Sequence, residues 1–131
     1  MYFMKYSSKG WARRKEERKG FPEFFEKHIK IIKDTKACCE ECESRLKGDV
    51  SEIAHVLPKS YYKSIATNDI NVIYLCGMFS ENQCHNKFDN SISEEFKKMN
   101  VYFKVSNIFK LLEKEITEKI PYKTYDRYLS E

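Results

Sequence analysis

The sequence contains no apolar run approaching the roughly 20 residues that a membrane-spanning helix needs. Its opening segment, MYFMKYSSKGWARRKEERKG, lacks the apolar core of a secretory signal peptide. It also has no internal repeat and no low-complexity tract. These absences predict a cytoplasmic protein without a membrane partner. Thiols stay reduced in that compartment, so paired cysteines favour metal binding over disulfides.

The length and composition predict one soluble domain. The chain has 131 residues, of which 34% are charged, and its mean hydropathy is −0.68. A chain of this length can bury a modest core, and domains of this size often need a metal ion as a further source of stability. We therefore expect one domain that is organised as a basic arm and helix over residues 1–36, a metal-bearing core over 37–92 and a helical segment over 93–131.

Positive charge is concentrated near the amino terminus. Residues 1–36 hold eleven Lys or Arg and five Asp or Glu, a balance of +6, whereas the remaining 95 residues hold thirteen against fifteen, a balance of −2. A basic arm on a nearly neutral body is typical of proteins that bind a polyanion such as nucleic acid, although a solvated terminus has the same composition. The candidate contacts in the arm are Arg13, Arg14, Lys15, Arg18 and Lys19.

Apolar periodicity predicts three helices and two short strands. The first helix begins near Pro22, presents apolar residues and His28 on one face, and ends at residues 34–36. We interpret His28 as a residue at the edge of that face. Strands are predicted over 50–56 and 72–75, separated by a loop over 59–71, and a short helix over 84–90. A last helix follows from an apolar stripe that Pro121 terminates, comprising Val101, Val105, Ile108, Phe109, Leu112, Ile116 and Ile120.

Two pairs of cysteines predict a structural zinc site. Cys39 and Cys42 form a Cys-x-x-Cys pair that can reach one ion from a tight turn, and Cys76 and Cys84 form a second, wider pair. Cys38 is a spare thiol that could pair with Cys42 instead. Five free cysteines in a reduced protein are the alternative. Four thiolate ligands leave no open position for a substrate, so the predicted role of the zinc is structural.

The segments EIAHVLPKS, NVIYLC and CHNKFD resemble the zinc-bearing branch of the HNH endonucleases. The resemblance covers about residues 38–90. It implies a small α+β fold, with a ββα-metal core, a zinc clamp and flanking N- and C-terminal helices. The compact size and the richness in Lys, Asn, Ile and Tyr suit a phage or mobile-element protein, which would be located in the host cytoplasm if encoded by a phage. The order of the matching residues is Cys39, Cys42, His55, Asn71, Cys76, Cys84 and His85.

The resemblance implies hydrolysis of DNA phosphodiester bonds to 5′-phosphate and 3′-hydroxyl ends. His55 is then the general base, and Asn71 holds the loop between the strands through its amide. His85 binds one divalent cation with Asp89, which lies four residues later on the same helical face. A carboxylate oxygen suits Mg²⁺ or Mn²⁺. Lys59, Lys63 and Lys87 are candidate contacts to the phosphates of duplex or branched DNA.

The sequence departs from the family at two points. Ala54 occupies a position where many members carry a metal-binding carboxylate, and the loop over 77–83 is long. Each residue also has a simpler interpretation: His55 as a strand-end residue, His85 as a substitute zinc ligand, Asn71 as a turn cap and Asp89 as a surface carboxylate. Two other functions therefore stay open. One is a non-catalytic zinc module that binds nucleic acid or protein, and the other is a regulator that binds protein through an exposed apolar stripe on the last helix.

Overall fold

A computed structural model describes residues 19–129. Within them, helices surround one small antiparallel sheet, an arrangement compatible with the predicted α+β class. None of these helices has the length and apolar character that crossing a bilayer requires. In chain order the elements are α1 (Phe21–Thr35), β1 (Ile53–His55), β2 (Val72–Tyr74), α2 (Cys84–Asn90), α3 (Ser93–Phe96), α4 (Tyr102–Leu112) and α5 (Tyr122–Tyr128), with 3₁₀ turns at Val50–Glu52, Lys63–Ile65 and Glu113–Glu115.

Helix α1 begins and ends where the sequence predicts. Gly20 precedes it in the left-handed conformation, with φ of 85°, and proline in the first turn supplies a preset backbone angle. Lys36, with φ of 52°, ends it by donating its backbone N–H to the carbonyls of the last turn. The buried face consists of Phe24, His28 and Ile32. This face packs α1 against β1, which places Phe24 beside the candidate site.

The sheet is shorter than predicted. Strands β1 and β2 pair with Ile53 opposite Tyr74 and His55 opposite Val72. The prediction of a strand from residue 50 is wrong, because Val50–Glu52 forms a 3₁₀ turn with a reciprocal cap. The buried Glu52 carboxylate accepts the backbone N–H groups of Lys47, Gly48 and Asp49 at 2.7–3.1 Å. These bonds satisfy the turn locally and compete with extension of the strand.

The prediction of one long C-terminal helix is also wrong. Helix α4 ends at Leu112, and Pro121 precedes the first turn of α5. The segment between them bonds to the inter-strand loop: Thr117 N–H donates to Ser64 Oγ at 3.2 Å, and Ser64 N–H donates to the Glu118 carboxylate at 3.1 Å. Such long-range bonds satisfy backbone and side-chain groups that local periodicity cannot account for.

The apolar stripe of α4 lies in the core. Val105, Phe109 and Leu112 are fully buried, and Ile116 packs against the same cluster from the segment after the helix. The hypothesis of a regulator with an exposed C-terminal stripe is therefore wrong, since no such stripe faces solvent in this helix. Buried Tyr128 on α5 donates its hydroxyl to the Val56 carbonyl at 2.8 Å, which fixes α5 against the end of β1.

Candidate metal centre and catalytic cleft

The four predicted cysteines converge. The sulfurs of Cys39, Cys42, Cys76 and Cys84 all lie within 4.8 Å of one another, and Cys42 Sγ is 3.8 Å from Cys76 Sγ. Tetrahedral zinc with bonds of about 2.3 Å separates its sulfurs by about 3.8 Å. The cluster can therefore hold a metal ion, and its geometry and donor set are consistent with structural zinc. Cys38 is exposed and outside the cluster, which leaves Cys39 as the partner of Cys42.

Without a bound cation, the thiols of the cluster differ in pKa. Burial opposes ionisation of Cys42, but hydrogen bonds, first from the Ser44 hydroxyl, lower the pKa of this thiol to about 6. Burial raises the pKa of Cys39 and, together with the neighbouring sulfurs, that of Cys84. A bound dication would lower the pKa values of Cys39 and Cys84, because a coordinated thiol is deprotonated outright. Metal binding should therefore release protons.

The glutamates between Cys39 and Cys42 connect the cluster to the rest of the fold. The Glu40 carboxylate accepts the Tyr74 N–H on β2 at 2.6 Å. The Glu41 carboxylate accepts the N–H groups of Asn100 and Val101 at 3.0 Å, just before α4. The cysteine cluster thus fixes the sheet and the C-terminal helices relative to each other.

His55 at the end of β1 is held in one tautomer. Its Nε2 lies 2.8 Å from the Ala66 carbonyl oxygen, which can only accept, so Nε2 carries the proton and Nδ1 the lone pair of the neutral ring. Phe24 stacks on the imidazole with ring centroids 5.3 Å apart. Burial is the main reason that the pKa of His55 is lowered below its usual value, with a smaller effect of Lys59. At neutral pH the imidazole is therefore a free base.

Asn71 fixes the loop that bonds His55. The amide is fully buried, its Oδ1 accepts the Leu57 N–H at 2.7 Å, and its Nδ2 donates to the carbonyls of Leu57 at 3.1 Å and Ile65 at 3.3 Å. Ile65 immediately precedes Ala66, whose carbonyl orients His55. The side chain therefore acts as a positioning group across the loop rather than as the cap of its own turn.

Replacing Asn71 with aspartate is expected to destabilise the protein by about 3 kcal/mol near pH 7. One carboxylate oxygen would face the carbonyls of Leu57 and Ile65, so the charged form is disfavoured and its pKa must rise above the unfolded value. The loss in free energy of unfolding should therefore become smaller as the pH falls towards 5. Urea unfolding at both pH values measures it, with exposed Asn107→Asp as the control. An equal deficit at both pH values would contradict this role of the amide.

His85 and Asp89 form a pair on α2. His85 Nδ1 donates to the Ser51 carbonyl at 2.6 Å, and Nε2 lies 3.1 Å from Asp89 Oδ2. The Asp89 hydrogen bond is the main cause that raises the pKa of His85. Two adjacent ligand atoms of an octahedral ion with bonds of about 2.1 Å lie about 3 Å apart. A histidine that donates its second nitrogen to a carbonyl is a common arrangement for a metal ligand. The pair therefore fits a divalent cation.

His55, His85 and Asp89 line one cleft, which we call the His55 cleft, with a volume of about 810 Å³. Lys59 lines it as well, with its ammonium group 5.0 Å from the centre of the Phe25 ring. The elements that meet there are α1, the turn before β1, β1 with the loop that follows it, α2 and α5. The arrangement brings together a neutral imidazole, a candidate cation pair and positive charge, a set that suits hydrolysis of a phosphate ester.

The other predicted DNA contacts lie elsewhere. Lys63 and Lys87 are not among the described residues that line the His55 cleft, and Lys87 borders a separate hollow beside Cys42 and Glu95. Lys87 follows His85 by two positions, which turns it to the other side of α2. Lys19 is exposed at the start of the described chain. The predicted contacts that lie outside the described residues are Arg13, Arg14, Lys15 and Arg18.

Sequence reasoning missed two residues that line the cleft and misplaced a third that lies outside it. Lys123 and Arg127 line the cleft from α5, a helix that was not predicted because Pro121 was interpreted as a terminator. Arg127 donates to the carbonyls of Phe88 and Ser91, which ties α5 to the end of α2. His28 is buried, with Tyr74 and Asp69 as hydrogen-bond partners. The interpretation of His28 as a residue at the edge of the apolar face is therefore wrong, because hydrogen bonds to these two residues, which are remote in sequence, satisfy the ring inside the protein.

The chain matches no protein-family model, no curated protein and no solved structure. The cysteine cluster and the His55 cleft are therefore interpreted from their own chemistry.

Proposed function

We propose that this protein is a metal-dependent, HNH-type endonuclease that hydrolyses DNA phosphodiester bonds. The observation that supports it most is the state of His55. This imidazole is neutral, keeps its lone pair on Nδ1, and lines the same cleft as the His85–Asp89 pair. A general base with a pKa near or below neutrality, next to a candidate cation site, is what hydrolysis of a phosphodiester requires.

In the proposed reaction His55 acts as the general base. Its Nδ1 takes a proton from a water molecule, the hydroxide oxygen attacks phosphorus, and the bond from phosphorus to the 3′ oxygen breaks. The departing oxygen takes a proton from solvent, leaving 5′-phosphate and 3′-hydroxyl ends. The Ala66 carbonyl keeps the ring oriented during proton transfer, and Asn71 keeps the loop that carries this carbonyl in place.

His85 Nε2 and Asp89 Oδ2 are the groups that would hold the catalytic cation. Mg²⁺ or Mn²⁺ bound there would supply charge that stabilises the phosphate and the departing oxygen. The Ser51 carbonyl fixes the tautomer of His85, so that Nε2 is the nitrogen available to a metal.

Positive charge around the cleft suits a DNA backbone. Lys59 and Lys123 are exposed where they line it, and both can neutralise phosphates without reading bases. The basic arm adds positive charge that would strengthen binding of the duplex. Zinc at the cysteine cluster has a structural part in this proposal, since it holds α2, and with it His85, against the sheet.

A non-catalytic zinc module that binds nucleic acid or protein is the second candidate. It is favoured by Ala54, which is fully buried opposite Ile73 and offers no ligand. Within residues 19–129, the cysteine cluster is also the one group of three or more potential ligands that lie close together. In this alternative the His85–Asp89 pair is an ordinary ion pair on the surface of α2.

Titration of the zinc-loaded protein with Mn²⁺ distinguishes the two candidates. The endonuclease should bind one Mn²⁺ per chain in addition to zinc, and Asp89→Ala should weaken that binding at least about tenfold through loss of a carboxylate ligand. Electron paramagnetic resonance of free Mn²⁺ measures the affinity. Asp34→Ala removes an exposed carboxylate from α1 and should leave the affinity unchanged. Equal affinity in all three proteins would contradict the assigned cation site.

A further inference from the structure

The long loop between Cys76 and Cys84 carries two apolar side chains into solvent. Met78 and Phe79 are 66% and 68% exposed, although they occupy the centre of a turn in which Ser80 N–H donates to the Gly77 carbonyl at 3.1 Å. The centre of a turn usually holds Gly, Pro, Asn, Asp or Ser, because these residues adopt the backbone angles of a turn easily or hydrogen-bond to its backbone. Nothing in the local backbone requires methionine and phenylalanine at these positions.

The backbone of the turn over 77–80 is held firmly in place. The Met78 N–H donates to Ser51 Oγ at 3.2 Å, and Gly77 lies so close to Ser51 that an added Cβ would be 2.0 Å from Oγ. At the ends of the loop, Cys76 and Cys84 belong to the metal cluster, and the His85 N–H donates to the Cys76 carbonyl at 3.1 Å. Because the backbone of the turn is already fixed, less conformational entropy is lost when its side chains bind a ligand.

The same turn borders the candidate cation site. Met78 lines a hollow of about 220 Å³ together with His85 and Asp89, and Ser51 contributes both to this hollow and to the His55 cleft. The amide side chain of Gln83 also lines the hollow. The exposed thioether of Met78 thus lies next to the place where the scissile phosphate would bind, and the exposed ring of the adjacent Phe79 borders a neighbouring hollow that also contains Ser51.

We propose that the turn over 77–80 is a wedge that holds an unpaired or unstacked nucleobase beside the scissile phosphate. Phenylalanine and methionine are among the apolar side chains that proteins insert between base steps, and aromatic rings stack on any base without reading its sequence. The inference rests on the proposed function and specifies the class of DNA that the site prefers. The preferred substrate is DNA with an unpaired nucleotide, such as a bulge, a fork or a single strand.

The test compares two short duplexes that differ by one unpaired nucleotide. Binding is measured by fluorescence anisotropy with the zinc-loaded full chain carrying His55→Ala, so that the DNA stays intact. This protein should bind the duplex with the unpaired nucleotide about tenfold more tightly than the perfect duplex. Adding Met78→Ala and Phe79→Ala should abolish that preference. Phe103→Ala, which removes a ring that is 75% exposed on α4, should keep it.

A second variant separates stacking from folding. Phe79→Trp keeps an aromatic ring at the turn and should retain the preference. Equal binding of both duplexes by the parent protein, or a preference that survives Met78→Ala and Phe79→Ala, would overturn the wedge even if the protein cuts DNA. A wedge-dependent preference without cleavage by wild type would instead remove the proposed function and leave the wedge intact.

Discussion

Cys39→Ser is expected to remove most of the bound zinc and to lower the free energy of unfolding by more than about 5 kcal/mol. The reason is that ligation energy is folding energy when the site exists only in the folded chain. Cys39 is also fully buried, and its sulfur is within 4.8 Å of three others, so a hydroxyl there leaves one coordination position without a thiolate. Zinc analysis and thermal unfolding measure the two effects, and we also expect lower solubility.

Cys38→Ser is the matched control for this change. The two cysteines are adjacent in sequence, but Cys38 is exposed and outside the cluster, so its replacement should leave zinc content and melting unchanged. Full zinc occupancy and unchanged melting in Cys39→Ser would show that the cluster does not bind zinc through this sulfur. Loss of zinc in Cys38→Ser with retention in Cys39→Ser would exchange the assignments of the two residues.

His55→Ala is expected to lower the cleavage rate by about 10²–10⁴-fold while the fold and the zinc are retained. The side chain is only partly buried and lines a cleft, so its removal leaves solvent-accessible space rather than a void in the core. The rate should be measured under single-turnover conditions on an oligonucleotide. Zinc content and the circular dichroism spectrum serve as controls for folding.

The pH profile of wild type gives an independent check on His55. The neutral imidazole is the active form, so the rate should rise with pH as His55 loses its proton. Burial lowers the pKa of this group in the folded protein, which places the midpoint of the rise below about 6.5. A midpoint well above that value would assign the rise to another group, as would a rise that persists unchanged in His55→Ala.

Local sequence signals predicted the elements that need no distant partner. The proline and the apolar face that predict helix α1 both lie within the helix itself. Helix α2 begins at Cys84, as predicted. The predicted proximity of the four cysteines is confirmed as well. It could be predicted because paired cysteines with reduced thiols have few roles other than metal binding.

The remaining features depend on contacts between segments far apart in the chain. The end of α4 follows from bonds between Ser64 and the segment around Glu118. The start of α5 brings Lys123 into the His55 cleft, and periodicity around a proline could not show that this proline opens a helix. The exposure of Phe79 likewise depends on the anchoring of its turn to Ser51. Single-sequence patterns contain no information about such pairs.

Incubation of supercoiled plasmid with the zinc-loaded wild-type protein, in Mg²⁺ or Mn²⁺, tests the central claim most directly. The proposal predicts nicked or linear DNA with 5′-phosphate ends, no product when Mg²⁺ and Mn²⁺ are both left out, and cleavage that is slower by about 10²–10⁴-fold with His55→Ala. An intact plasmid in every lane, together with tight binding of DNA or of a protein partner, would contradict the endonuclease and leave a non-catalytic zinc module.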